Sequence, residues 1–134
     1  MTLSQAKTPA ATPAVRRSDP RELGAHPELE RLFLPLGPGE QEEVARRMAA
    51  GEPFPPLLVD ARGRVLAGEE NWLGALALGW DLINLIEAPA LSPARLRALM
   101  VAENIRFREV RPEHLSRGMN NFFDMEPLRP AGGW

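Results

Sequence analysis

Residues 57–79 constrain the fold more than any other stretch of the chain. They run Leu-Leu-Val-Asp-Ala-Arg-Gly-Arg-Val-Leu-Ala-Gly-Glu-Glu-Asn-Trp-Leu-Gly-Ala-Leu-Ala-Leu-Gly. Leu57 to Asp60 is a short apolar segment containing the β-branched Val59, which predicts a strand. Ala61-Arg62-Gly63 reverses the chain, because glycine accepts positive φ without steric cost. Arg64 to Ala67 returns as a second strand. Gly68 then permits an abrupt switch into a helix, and Glu69 and Glu70 place negative charge on its first turn, where the helix dipole favours it. Gly79 closes that helix as the residue after the cap. A strand that passes through glycine into a helix N-terminus presents free backbone N–H groups, a common foundation for an anion pocket.

The rest of the chain is organised around this unit. At 134 residues the length fits one domain with a tail at each end. There is no cysteine, which excludes disulfides, thiolate catalysis and Cys-ligated zinc. No long apolar run is present, so the expectation is a cytoplasmic protein with no membrane segment. The formal net charge of −2 does not suit a general nucleic-acid binder.

Residues 1–20 are rich in Ala, Thr and Pro and have almost no large apolar side chains, which predicts a disordered N-terminal arm. The folded unit is expected over residues 21–123, with a C-terminal tail at 124–134. In residues 21–36, Leu29, Leu32, Phe33 and Leu36 have helical spacing, but Pro27 and Pro35 limit any helix to one or two turns, so the stretch reads as an irregular or short strand entry followed by a turn. His26, before Pro27, reads as a turn residue. Glu40 to Ala50 is a helix with acids at its start, Arg46 and Arg47 near its end and Gly51 as its stop. Leu82, Ile83, Leu85 and Ile86 form a third strand. Ser92-Pro93 opens another helix, with Ser as N-cap and Pro at the first helical position. Leu96, Leu99, Met100, Glu103 and Phe107 recur along it at steps of three and four. That spacing puts Glu103 on or beside an apolar face, with Arg106 within reach as its partner. Pro112 opens a last helix carrying Leu115, Met119, Phe122 and Phe123.

In this order the pieces resemble the ParB N-terminal domain of the ParB/sulfiredoxin-like fold over about residues 22–115. The resemblance rests on His26-Pro27; Met48-Ala49-Ala50-Gly51 followed by Pro55-Pro56-Leu57-Leu58-Val59; the turn from Asp60 to Gly63; Val65-Leu66-Ala67-Gly68-Glu69; Ala75 to Gly79; and Glu103-Asn104-Ile105 followed by Pro112. It implies an α+β fold, a small mixed β-sheet with packed helices. In partition proteins of that family a Gly-Glu-Arg-Arg turn and the helix after it bind the phosphates of CTP, and a later Glu-Asn pair helps hold magnesium. By position the turn is Gly68-Glu69-Glu70-Asn71 and the pair is Glu103-Asn104. The resemblance thus implies a nucleotide site at Gly68, Glu69, Glu70 and Asn71 and a Mg2+ site at Glu103 and Asn104; Arg106, which departs from the family pattern after the Glu-Asn pair, is a further nucleotide-binding candidate from the later helix.

The turn departs from the family pattern, since both arginines are replaced, by Glu70 and Asn71. A guanidinium pair supplies charge and bidentate hydrogen bonds to phosphate, and a carboxylate reverses the sign. CTP binding is therefore expected to be weakened or lost, unless Arg106 or Arg108 reaches in from the other helix. Sulfiredoxin-type chemistry is excluded, because the cysteine it uses in this turn is here Glu69. Two readings follow. The first is a stand-alone ParB-like domain in DNA partitioning or plasmid or phage DNA metabolism, with a degenerate nucleotide pocket. Its partners are DNA or a DNA-bound protein, and a second copy of the chain as a homodimer. Arg97, Arg108 and Arg111 are its candidate nucleic-acid contacts, at spacings that share one helix face if the helix continues that far. Only about twenty residues follow Pro112, enough for one helix and not for a helix-turn-helix reader. The second reading is a magnesium-dependent nuclease or phosphoryl-transfer enzyme. Glu103 and Asn104 would hold the metal, and Glu69 or Glu70 would serve as catalytic base.

Overall fold

The hairpin and helix expected at residues 57–79 form the centre of the molecule. The computed structural model describes residues 14–105 and 108–111. Strand β1 (Val15–Ser18) is followed by a 3-10 turn (Pro20–Glu22), β2 (Gly24–Ala25), α1 (Glu28–Leu32) and α2 (Pro38–Ala49). Next come β3 (Leu57–Val59), β4 (Arg64–Ala67), α3 (Glu69–Leu78), β5 (Ile83–Glu87) and α4 (Pro93–Asn104). The five strands form one mixed sheet in the order β1-β5-β3-β4-β2. The β3–β4 and β1–β5 pairs are antiparallel, and the β3–β5 and β2–β4 pairs are parallel. The fold is α+β.

Side-chain alternation along the strands sends residues to two cores, one on each face of the sheet. Leu66 packs with Leu29 and Leu32 of α1, with Phe33 just after it, and with Ala98, Met100 and Val101 of α4. Leu57, Val59, Val65 and Leu85 pack on the other face with Met48 of α2 and Trp72 and Ala75 of α3. The sheet is therefore covered by helices on both sides.

Local chemistry sets the turns. The Asp60 carboxylate accepts from the N–H groups of Arg62 and Arg64 at 2.9 and 2.8 Å, and from Arg64 Nε at 2.7 Å. Burial alone would raise the Asp60 pKa. The donors from Arg64 and Arg62 overcome this and hold it below its usual value. His26 is a capping residue: its Nδ1 accepts from the Glu28 N–H at 3.1 Å and its carbonyl accepts from Leu29 N–H at 3.0 Å. Burial and, after it, the nearby Arg64 lower the His26 pKa, so the ring is kept neutral for that role.

Three expectations are corrected. Val15–Ser18 is not part of an unfolded arm: it pairs with β5 across Val15–Ile86 to Ser18–Ile83. Pro20 is buried, and its carbonyl accepts from the Trp72 indole N–H at 2.8 Å. A composition argument misses such a strand, because its bonds are made by the backbone. Second, α4 is rotated from its predicted phase. Ala98, Met100, Val101 and Asn104 face inward, while Glu103 is exposed. Met100 is buried as the spacing predicts, while Leu96 and Leu99 lie at the edge of the inward face, partly buried against the same core. Third, α1 is a full helical turn, not an irregular entry. The expected helix after Pro112 and the tail at 124–134 lie outside the described residues.

The bend from β4 into α3 is the tightest point. Gly68 has φ +91°, and a Cβ built there would lie 2.8 Å from Leu57 Cδ2. Gly79 also has positive φ, +71°, but faces open space. Replacing Gly68 by Ala combines left-handed strain with a clash and is expected to cost about 3 kcal/mol. Gly79→Ala carries the strain alone, about 1 kcal/mol. Urea denaturation of the two variants checks the order; equal losses would contradict it.

Candidate functional site

Around the Gly68 turn the chain forms a cavity of about 650 Å3. Its floor is the start of α3, where Gly68, Glu70 and Asn71 contribute. Glu103 and Asn104, at the end of α4, line one side. Helix α2 lines another with Glu40, Glu43, Val44, Arg47 and Met48. The proline-fixed link between α2 and β3 closes it with Glu52, Phe54 and Pro56, and Leu58 lies behind. The ring of Phe54 packs against Trp80, with centroids 6.0 Å apart. A close helix contact sets the width of this space: a Cβ on Gly74 of α3 would lie 2.6 Å from Met48 Sδ.

The structure places Gly68, Glu70, Asn71, Glu103 and Asn104 around this one cavity. It does not bring Glu69 with them. The Glu69 carboxylate turns away and accepts from Arg108 Nη1 at 2.5 Å. Arg108 also donates to the Leu34 carbonyl at 2.9 Å and lies over the Phe33 ring, 5.4 Å from its centroid. Its side chain is 3% exposed. Arg108 is thus a buried structural cation and has no open face to offer a nucleic acid. Arg111 Nε donates to the Glu30 carbonyl, and Arg97 is half-buried on α4. Arg97, Arg108 and Arg111 do not form one arginine face, because α4 ends at Asn104. The chain after it pairs with residues 32–34 instead, through Phe33–Val110, Leu34 N–H to Glu109 O and Arg111 N–H to Leu32 O. Arg106 lies outside the described residues.

Asn104 is tied to the sheet. Its Nδ2 donates to the Leu66 carbonyl at 2.9 Å and to the Met100 carbonyl at 2.7 Å. Only 2% exposed, it holds the end of β4 in place beneath the turn. Among the described residues no three acidic or histidine side chains converge as a metal-binding group. The expected meeting of Glu69, Glu70 and Glu103 around a cation is therefore not formed, because Arg108 takes Glu69.

Sequence reasoning missed the contribution of α2 and of the link after it. The lining contains five carboxylates (Glu40, Glu43, Glu52, Glu70, Glu103) against one guanidinium, Arg47. Arg47 in turn lies 3.9 Å from Glu43, which also pairs with Arg46. The Glu40-Gln-Glu-Glu43 run carried this signal, but it reads equally as a helix start.

No protein-family model matches the chain, and no curated protein sequence matches it. Three solved structures are similar in fold. A Pnob8-like ParB-N domain in its C2221 form superposes with a TM-score of 0.58 at 14% identity, covering 69% of this chain and 38% of that one. A second structure of the pNOB8-like ParB N-domain gives 0.57 at 14% identity, over 69% of this chain and 35% of that one. The C-terminally truncated chromosome-partitioning protein ParB from Caulobacter crescentus, complexed with CTP-gamma-S, gives 0.60 at 15% identity. That match covers 83% of this chain and 63% of the Caulobacter chain. The chain therefore has a ParB N-domain-like fold and spans between 35% and 63% of the proteins it superposes on. No helix among the described residues is long and apolar enough to cross a membrane.

The Glu69–Arg108 pair is the strongest electrostatic contact at the site. Arg108→Met leaves a carboxylate only 17% exposed without its partner. The expected loss is about 3 kcal/mol, and the double variant with Glu69→Gln is expected to regain much of it. A double-mutant cycle in urea checks this; additive losses would show that the two groups are not coupled.

Proposed function

We propose that this chain is a ParB-like module of DNA partitioning or of plasmid or phage DNA metabolism, with a pocket that no longer suits nucleoside triphosphates. The fold supports the first part, since its structural neighbours are ParB N-domains, one of them with CTP-gamma-S bound. One observation carries the second: the cavity at the Gly68 turn is walled by five carboxylates and one arginine that is already beside Glu43. A triphosphate bears several negative charges, and like charges in a partly desolvated cleft repel strongly. The N-terminus of α3 adds some positive potential, but equivalent to only about half a charge. Glu70 offsets it. The nuclease reading gains no support from the geometry, because Glu69 is held by Arg108 and no acidic triad forms among the described residues. The partner class is DNA or a DNA-bound protein, met by the helical faces outside the cavity.

Titration calorimetry with CTP and Mg2+ tests the pocket. The native chain is expected to give no binding at micromolar concentrations, and Glu70→Arg with Asn71→Arg is expected to create it. Micromolar binding by the native chain would overturn the electrostatic argument. The partition assignment has its own test. A fluorescent fusion expressed in the native host is expected to form foci that coincide with a labelled replicon. Uniform fluorescence would remove the assignment.

A further inference from the structure

His26 joins the edge strand β2 to α1 and is only 8% exposed. Three bonds fix it. Its N–H donates to the Val65 carbonyl at 3.1 Å, its carbonyl accepts from Leu29 N–H at 3.0 Å, and its ring Nδ1 accepts from Glu28 N–H at 3.1 Å. A backbone N–H can only donate, so Nδ1 carries its lone pair and the ring proton is on Nε2. A proton added at Nδ1 sets two donors against each other. It also leaves the first turn of α1 without a side-chain cap, because Pro27 at the N-cap position supplies none.

Four charged groups act on the ring: Arg64 and Asp60 at the β3–β4 turn, and Glu28 and Arg31 of α1. The arginines oppose a charged ring and the acids favour it. Both acids are already engaged, Asp60 with Arg64 at 2.7 Å and Glu28 with Arg31 at 2.9 Å. Much else is tied to α1. Its Leu29 and Leu32, with Phe33 after it, are core residues. The segment 108–111 hangs on the same stretch, through Leu34 N–H to Glu109 O, Arg111 N–H to Leu32 O, and Arg108 to the Leu34 carbonyl. Arg108 in turn holds Glu69 at the start of α3.

We propose that His26 is an acid-sensitive latch: a proton on Nδ1 loosens α1 and, with it, the 108–111 segment that carries Arg108 to Glu69. The released ring takes up a proton near its ordinary value of 6.5, and the closed ring only at lower pH. Closure is therefore at full strength above that pH and weakens as the pH falls below it. Opening uncovers Phe33 and leaves the Glu69 carboxylate without its cation, beside the Gly68 turn.

Amide hydrogen exchange of the full chain at about pH 7.5 and about pH 5, corrected for intrinsic rates, is the test. The amides of Phe33, Leu34 and Arg111 bond within this unit. Their protection is expected to fall about tenfold at the lower pH, while amides of the central strands β3 and β5 keep theirs. His26→Asn offers Glu28 N–H an amide oxygen that does not titrate. It is expected to match the native protection at the higher pH and to lose none at the lower. His114→Gln, at the chain's other histidine, is expected to retain the native drop. Long-range nitrogen–proton spectra of the native ring are expected to show an unprotonated Nδ1 at the higher pH and a midpoint below 6.5 that coincides with the drop. A native chain with no drop, a drop spread evenly over all strands, or a drop that His26→Asn retains would each overturn the proposal. So would a proton on Nδ1 at the higher pH, a result that depends on no variant folding.

Discussion

At Gly68 the backbone turns left-handed directly against Leu57, with no space for a side chain. That contact sets the direction in which α3 leaves the sheet, and the cavity is the space this direction leaves against α2. Two further contacts fix the same short segment. Asn104 reaches across from α4 to the carbonyl of Leu66, and Arg108 reaches from the chain beyond α4 to the carboxylate of Glu69. Both cores meet here, since Leu57 belongs to one and Leu66 to the other. The floor of the site is therefore held from both faces of the sheet. Such a rigid element is a good base for a binding site, because little ordering remains to be done when a ligand arrives.

The same arrangement sorts the two adjacent glutamates into different roles. Glu69 is neutralised by a buried guanidinium that also stacks on Phe33 and donates to Leu34. Glu70 faces the cavity with one oxygen unpartnered. A helix start bearing two acids satisfies the dipole either way. What separates the roles is the partner each one meets in space. The charge that decides what the cavity accepts thus comes from Glu70 and from the acids of α2 and α4, not from the Glu69 position.

Much of this architecture can be read in the chain. Gly63, Gly68 and Gly79, the Ser92-Pro93 start and the alternating Val65 and Leu66 each act through local rules of backbone conformation or pleat. Those rules operate within a few residues, so they are visible in order along the chain. The features that were not legible depend on distant encounters. β1 is held by backbone bonds to β5, across some seventy residues of sequence. The inward face of α4 is centred on Ala98, Met100, Val101 and Asn104, and neither Ala98 nor Asn104 gives a hydrophobic signal comparable to Leu96 or Leu99. Arg108 looked like a surface charge because nothing near it in sequence is acidic except Glu109. Its partner, Glu69, is brought to it by the fold. The acidic wall from α2 was hidden for a related reason: acids at the start of a helix are ordinary, and only the packing of α2 on α3 turns them toward a shared space.

The strand order leaves two rims to the sheet, and each is poorly suited to recruit another chain. β2 offers a single pair of residues, Gly24 and Ala25. β1 is four residues long and carries Arg16 and Arg17 at its centre, with Arg16 pinned to Glu87 on the neighbouring strand. Short rims and fixed charge are the means by which open sheets avoid templating further strands. Copies of this protein meeting edge to edge would find few unpaired amides to share and two cations in the way. Growth by strand addition is therefore discouraged, and the helical faces are left as the ground on which another macromolecule can settle.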